Sequence, residues 1–374
     1  MKMTILQRYV WSSMVSTLLV TLAVFTFVLC VGNILKDILM LLVNESVDLT
    51  SVLALILLAM PYALSFGLPL AMLATTILVL GRLSADSELN AARACGVSLY
   101  RFIIPILMLG VLVSFISIYI NSDLAPNCRY LIRKFVVNVG LNQPSVLLEE
   151  GRLITDIPGY RIFIEKKDAG KNEIEGVYLW ILNDRGRPTQ SIRARRGIIS
   201  ADQERQKMFI QLFEVRMDSR DPDHPHDPAK IRTGVYAKRY PLDLDLKYLV
   251  GDNPEGRDLK QTSSWNLLAE AEELKAEGVH PTPLLVEIQK RFSMGAACFA
   301  FTLIGIPLSI RTHRRETTAG VLMAFLLAII YYLLLVVAEG FKKSPHLLPE
   351  LIIWMPNLIF EAVGILLLWR ESKT

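Results

Sequence analysis

Charged residues are missing from long stretches of this chain, and those gaps set its organisation. Residues 9–35, 49–81, 102–122, 292–310 and 317–338 contain no Asp, Glu, Lys or Arg, and 351–369 contains only Glu361. Each run reaches the roughly 18 to 20 residues that carry an α-helix across about 30 Å of hydrocarbon, where every backbone polar group must be satisfied within the segment. The pattern therefore predicts six membrane-spanning helices, three before and three after a long polar stretch. The first run begins near Lys2 and Arg8, as a signal peptide would, but it is too long for that and ends without a small-residue cleavage site, so it reads as a retained helix.

The polar stretch between the two sets of spans has a different rhythm. In 160–165, Tyr160, Ile162 and Ile164 alternate with Arg161, Phe163 and Glu165, 176–182 is mostly apolar, and 208–217 reads as a strand. Leu242, Leu244 and Leu246 alternate with Asp243 and Asp245. Short period-two segments broken by Gly, Asn and Pro, such as Asn183-Asp184-Arg185-Gly186, predict an all-β sandwich or jelly roll. Ser264 is placed to cap a helix over 265–277 that ends at Gly278 and leads back to the membrane. The expected division is 1–122 for the first three spans, 123–290 for the exported β domain with its connecting helix, and 291–374 for the last three spans. Pro61, Pro69, Pro105, Pro307 and Pro356 lie in the spans, where they predict either tolerated kinks or breaks at a helix interface.

Charge gives the orientation. Lys2, Arg8, Arg82, Arg93, Arg101, Arg311, Arg314, Arg315, Arg370 and Lys373 fall on one side of the spans, whereas the short loops of the other side carry Lys36, Lys342 and Lys343. Lysine and arginine collect on the cytoplasmic side, so both termini are expected there and the β domain outside. Composition fits this picture: of 374 residues, 52% are hydrophobic and 20% charged, and a net charge of +4 gives no reason to expect nucleic acid. Of Cys30, Cys95, Cys128 and Cys298, only Cys128 lies clearly beyond the membrane on the exported side, so no disulfide framework is expected.

Catalytic signatures are absent from the sequence. The Gly170-Lys171 pair is followed by Asn172 and so lacks the form of a Walker A loop, and there is no HExxH or GxSxG. His224 and His226, in Asp-Pro-Asp-His-Pro-His-Asp-Pro, read as a stiff solvated loop rather than a metal site. An enzyme is therefore not expected, and neither a cofactor nor a metal. The most informative polar segment is the 82–101 loop, RLSADSELNAARACGVSLYR. Ser84, Asp86 and Ser87 are capping residues, 87–95 can form a short helix, and Gly96 can end it. Glu88 stands in its first turn, and Ala91, Ala92 and Ala94 leave room for a close partner. An interfacial connector without a partner explains the same residues.

At this loop (SELNAARACGVS) and toward the carboxyl end (KRFSMGAACFAFTLIGIPLSIRTHRRETTAG, FLLAIIYYLLLVVAEG, LPELIIWMPNLIFEAVG) the sequence resembles the LptF/LptG family, the permease subunits of the lipopolysaccharide export ABC transporter. The Ile-Pro-Leu of span four, Tyr-Tyr of span five and Trp-Met-Pro-Asn of span six carry the likeness, which covers nearly the whole chain. The resemblance implies a six-span, three-plus-three fold with an inserted periplasmic β-jellyroll, in the bacterial inner membrane. It implies a homologous permease subunit as heterodimer partner, a cytoplasmic ABC ATPase dimer as motor, periplasmic β-jellyroll bridge proteins as acceptors, and lipopolysaccharide as cargo. It also implies that residues 84–96 form the coupling helix, with Glu88, Ser87, Arg93 and Gly96 at the ATPase.

A lipid with phosphates and acyl chains needs cations at the outer interface. Lys36, Arg129, Arg133, Lys134, Lys290 and Arg291 are the candidates, with Lys36 and Arg133 the preferred pair. Simple snorkelling of each explains the same positions. Glu361, inside span six, is a functional candidate because a carboxylate in hydrocarbon is costly. Two other readings stay open: a non-transporting membrane scaffold, and a permease of the same family for another glycolipid.

Overall fold

The protein was analysed as a computed structural model, which describes residues 4–43, 49–142, 150–154, 159–168, 172–183, 187–202, 207–219, 232–245, 259–311, 317–341 and 348–372. The chain divides into two compact units. One comprises Met1–Leu35, Leu53–Arg129 and Leu259–Thr374, and the other Lys36–Val52 and Tyr130–Asp258.

The first unit is helical. Its elements are α1 (Ile5–Val43), α2 (Leu49–Ala85), α3 (Glu88–Ala94), α4 (Tyr100–Tyr119), a π-turn (Ile120–Leu124), α5 (Ala125–Asn142), a 3-10 turn (Leu259–Gln261), α6 (Ser264–Ala276), α7 (Thr282–Arg311), α8 (Thr317–Gly340), α9 (Pro349–Ile352) and α10 (Met355–Ser372). The ends of α1, α2 and α5 reach into the second unit. Among the described residues, five helices are long and apolar enough to cross a membrane: Ile5–Gly32, Thr50–Ala85, Tyr100–Val136, Thr282–Ile310 and Leu322–Gly340. The sixth expected span is divided. α9 stops at Ile352, and α10 starts at Met355, just before Pro356. A proline lacks the N–H that would continue a helix and crowds the residue before it, which favours a restart at that point. By contrast, α2 runs unbroken through Pro61 and Pro69. The third span also departs from expectation, since the helix continues past Ser122 through the π-turn into α5.

α7 packs between α4 and α10, and small residues on α7 and α10 allow the close approach. A Cβ on Gly295 would lie 2.8 Å from the Ile118 Cα, and one on Gly364 would lie 2.9 Å from the Leu303 carbonyl carbon. Around α7, Ala297, Cys298, Ala300 and Phe301 are fully buried. Lipid offers no hydrophobic drive for helices to associate, so this close packing and polar ties between helices do the holding. One such tie joins α7, α8 and α10. Tyr331 Oη donates to Asn357 Oδ1 at 2.9 Å, Asn357 Nδ2 donates to the Ser293 carbonyl at 2.8 Å, and Ser293 Oγ donates to the Ile353 carbonyl at 3.0 Å.

The second unit contains one six-stranded antiparallel sheet: β1 (Leu153–Ile154), β2 (Tyr160–Asp168), β3 (Glu173–Leu182), β4 (Pro188–Asp202), β5 (Lys207–Ser219) and β6 (Arg232–Asp245). The strands lie in sequence order, each paired with the next. The described residues thus form a meander, without the crossed strand order of the expected jelly roll. The expected strands fall on β2, β3, β5 and the end of β6, and β4 is an addition. One face is apolar, with Ile162, Ile164, Leu179, Ile192, Ile210 and Leu212 buried. Along β3, β4 and β5 the buried parity changes, from Ile174 to Val177, from Ala194 to Ile199 and from Leu212 to Val215. Gly176 (φ 64°) and Glu214 (φ 54°) sit where β3 and β5 change. The 221–228 loop, with His224 and His226, lies outside the described residues.

Candidate functional site

α3 is a seven-residue helix between two spans. Its N-cap, Ser87, has a left-handed backbone (φ 57°) and no side-chain capping bond, unlike the expected hydroxyl cap. Its C-terminus follows the expected form. Gly96 (φ 81°) donates to the Arg93 carbonyl at 2.9 Å, and Val97 N–H to the Ala92 carbonyl at 3.0 Å. Those are the paired bonds by which a glycine in a left-handed conformation ends a helix. Leu89 is buried against the helical core, while Glu88, Asn90, Arg93 and Cys95 are exposed. Tyr9 Oη donates to Glu88 Oε1 at 3.4 Å, Arg82 to Ser13 Oγ at 2.7 Å, and Ser84 Oγ to the Ile310 carbonyl at 3.5 Å. The loop is thereby tied to α1 and α7, leaving one polar face of α3 open.

Three of the six candidate cations gather in one cleft of the helical unit. Arg129, Lys290 and Arg291 line it together with Lys260, Glu287, Tyr62 and Asn121, around a volume of about 120 Å³. The Arg129 guanidinium lies 3.8 Å over the Tyr62 ring, a cation–π contact that fixes its direction. Lys290 Nζ pairs with Glu339 Oε1 of α8 at 2.5 Å. Arg291 is buried, donating to the Leu259 and Thr262 carbonyls at 2.7 Å each and to Ser264 Oγ at 3.2 Å, with Glu287 one helical turn back at 3.5 Å. Buried charge is tolerated when its donors are taken up in this way. Arg291 therefore anchors the 259–264 segment to α7. Ser263, one residue before the expected cap, caps α6 by accepting from Asn266 N–H at 3.4 Å.

Arg133 and Lys134 lie on the part of α5 that belongs to the sheet-bearing unit. Lys36 falls within α1, but its side chain lies outside the described residues. Glu361 is half-buried on α10. Sequence reasoning missed Lys260, Tyr62 and Glu339. Lys260 lies in a polar stretch among other charges, and Tyr62 and Glu339 meet their partners only through helix packing. The Glu287–Arg291 spacing of four was the one readable signal, since such a pair shares a helix face.

The family model for the lipopolysaccharide export system permease LptF/LptG matches residues 8–370. Among curated proteins, the chain is similar to the lipopolysaccharide export system permease protein LptF of Escherichia coli strain K12, with 22% identity over 336 residues, 87% of this chain and 85% of that protein. It is similar to LptF of Shigella flexneri to the same extent. Because the family match runs through the helices on both sides of the sheet and through the sheet itself, the chain belongs to the LptF/LptG family of lipopolysaccharide export permeases.

Proposed function

We propose that this chain is one half of a permease that extracts lipopolysaccharide from the outer leaflet of the inner membrane and hands it to a periplasmic protein bridge. A separate cytoplasmic ATPase dimer drives it, and a homologous permease subunit completes it. In this reading α9 and α10 together make the sixth span. The meander forms part of a periplasmic jelly roll, and the start of α1 and the end of α10 are cytoplasmic.

The observation that carries the reading is the form of α3. It connects α2 directly to α4, buries Leu89, and keeps Glu88 and Arg93 exposed. A partner that grips the exposed face moves two spans at once. Ser87 and Gly96, both at positive φ, set the angles at which the helix enters and leaves. Arg129 and Lys290 face the lipid phosphates from the cleft, and Arg291 braces its wall. Lys36, Arg133 and Lys134, on the second unit, are the remaining candidate phosphate contacts.

The test is Glu88→Lys in the complex reconstituted with its ATPase. Expected are loss of ATPase association and of lipopolysaccharide-stimulated hydrolysis, with the permease still folded. Normal association and stimulation would remove the coupling role.

A further inference from the structure

The outer face of the sheet, opposite its apolar core, has a composition that export through the membrane does not require. Cross-strand pairing aligns Phe163, Tyr178, Arg193 and Arg216 in one row, and Arg161, Trp180, Ser191 and Asp218 in the next. Phe163 and Tyr178 have ring centroids 6.0 Å apart, and Tyr178 and Trp180 are 6.4 Å apart with planes only 19° from parallel. The Arg193 guanidinium lies 5.8 Å from the Tyr178 ring. The three rings make a half-buried aromatic strip across β2 and β3.

A recess opens beside each end of this strip. One, of about 420 Å³, is lined by Glu165, Glu175 and Glu214 and by Arg193, Arg195 and Arg216. The other, of about 210 Å³, is formed by Leu153, Arg161, Trp180, Leu182 and Pro188. The larger recess depends on unusual backbone. A Cβ at Gly176 would collide with the Glu165 side chain, and Gly176 takes φ 64°. Glu214 takes φ 54° despite its side chain and meets Arg195 at 3.4 Å. Non-glycine residues held in such conformations cluster at binding sites, because the strain must be maintained by the surroundings.

The chemistry selects among occupants. Three carboxylates face three guanidinium groups in the larger recess, so its charge is balanced, which argues against a purely anionic ligand. Tyr178 and Trp180 lie on β3, which is paired along both edges, so an added peptide strand gains nothing from the ladder there. Acyl chains would strip water from charges. A sugar fits: its C–H face rests on aromatic rings, and its hydroxyls use both carboxylate acceptors and guanidinium donors.

We propose that this outer sheet face binds a saccharide, with Trp180, Tyr178 and Phe163 as the platform and Glu165, Arg193 and Arg195 bonding the hydroxyls. The identification of that saccharide as the sugar portion of the exported glycolipid rests on the proposed function; the site itself does not.

The experiment uses the full chain in a detergent without a sugar headgroup, titrated with fully deacylated lipopolysaccharide. Saturable binding is expected, weakened at least about tenfold by Trp180→Ala and by Arg193→Ala. Trp180→Leu, checked for an unchanged thermal transition, separates loss of the platform from loss of the fold. Lys275→Glu, at an exposed position on α6, should leave this binding unchanged. Absence of saturable binding, binding indifferent to all three sheet variants, or complete displacement by inorganic phosphate would overturn the proposal. Stimulation of the partner ATPase by intact lipopolysaccharide is measured on the same preparations. Saccharide binding without stimulation leaves the site standing and removes the export reading; stimulation without saccharide binding does the reverse.

Discussion

Tyr178 shows how much a single side chain can report about its surroundings. Its hydroxyl donates to Glu165 Oε1 at 3.0 Å. That bond, followed by the carboxylate's charge, raises the phenol above its ordinary value, and Arg193 opposes the shift. The sign follows from which form the carboxylate favours. The protonated phenol keeps the bond, so the contact is intact through the neutral range and is lost as pH climbs through the raised folded value. Ultraviolet titration of the wild type minus Tyr178→Phe should show one phenol ionising above the ordinary range. Glu165→Ala should bring it back down. A difference curve centred on the ordinary value would mean that the Tyr178–Glu165 contact does not persist in solution. The sequence revealed neither partner, because 165 and 178 meet only when β2 and β3 pair.

At the scale of elements, dense apolar runs were legible in the sequence, and a run of sparse apolar positions that reset was not. Five helices long and apolar enough to cross a membrane followed from missing charge alone. β2 followed from its alternation, and β3 and β5 from apolar runs dense enough to be read despite their change of buried parity. β4 did not, because Ile192 and Ala194 face the core on even positions and Ile199 on an odd one, so no single alternation covers the strand. Likewise the six cations were grouped by their expected nearness to the outer interface, with Lys36 and Arg133 preferred. Their division into a cleft trio and the others depends on how the 259–264 segment closes on α7 and on where α5 leaves the helical unit, both outcomes of long-range packing. The Trp-Met-Pro-Asn sequence was legible as a family marker, but its work lies in the tie through Asn357. Asn357→Leu removes an acceptor from Tyr331 and both donors to Ser293. Interhelical hydrogen bonds in membranes contribute about 0.6 kcal/mol each on average, so losing three should cost about 2 kcal/mol, read as a lowered thermal transition in mild detergent. Tyr332→Phe, which loses one 3.3 Å bond to the Phe66 carbonyl, should cost less. Equal transitions for Asn357→Leu and wild type would show that packing alone holds α8 and α10 to α7.

The proposed transport reading requires α3 and the sheet to face opposite sides of the membrane. The argument for that orientation is the excess of lysine and arginine at the ends of the spans that flank α3, and thiol labelling tests it. Cys95 is exposed at the end of α3, and Lys238 is exposed on β6. In a chain with Cys30, Cys128 and Cys298 replaced by alanine, Cys95 is the remaining thiol, and Lys238→Cys adds one on the sheet. With the outer membrane opened and the inner membrane intact, an impermeant maleimide should label Lys238→Cys and leave Cys95 unmodified. Disrupting the inner membrane should then expose Cys95. Labelling of Cys95 in intact spheroplasts would place α3 outside, away from any cytoplasmic ATPase. It would remove the coupling role of Glu88 and Arg93 together with the path built on it, while leaving the outer sheet face to be judged by its own saccharide titration.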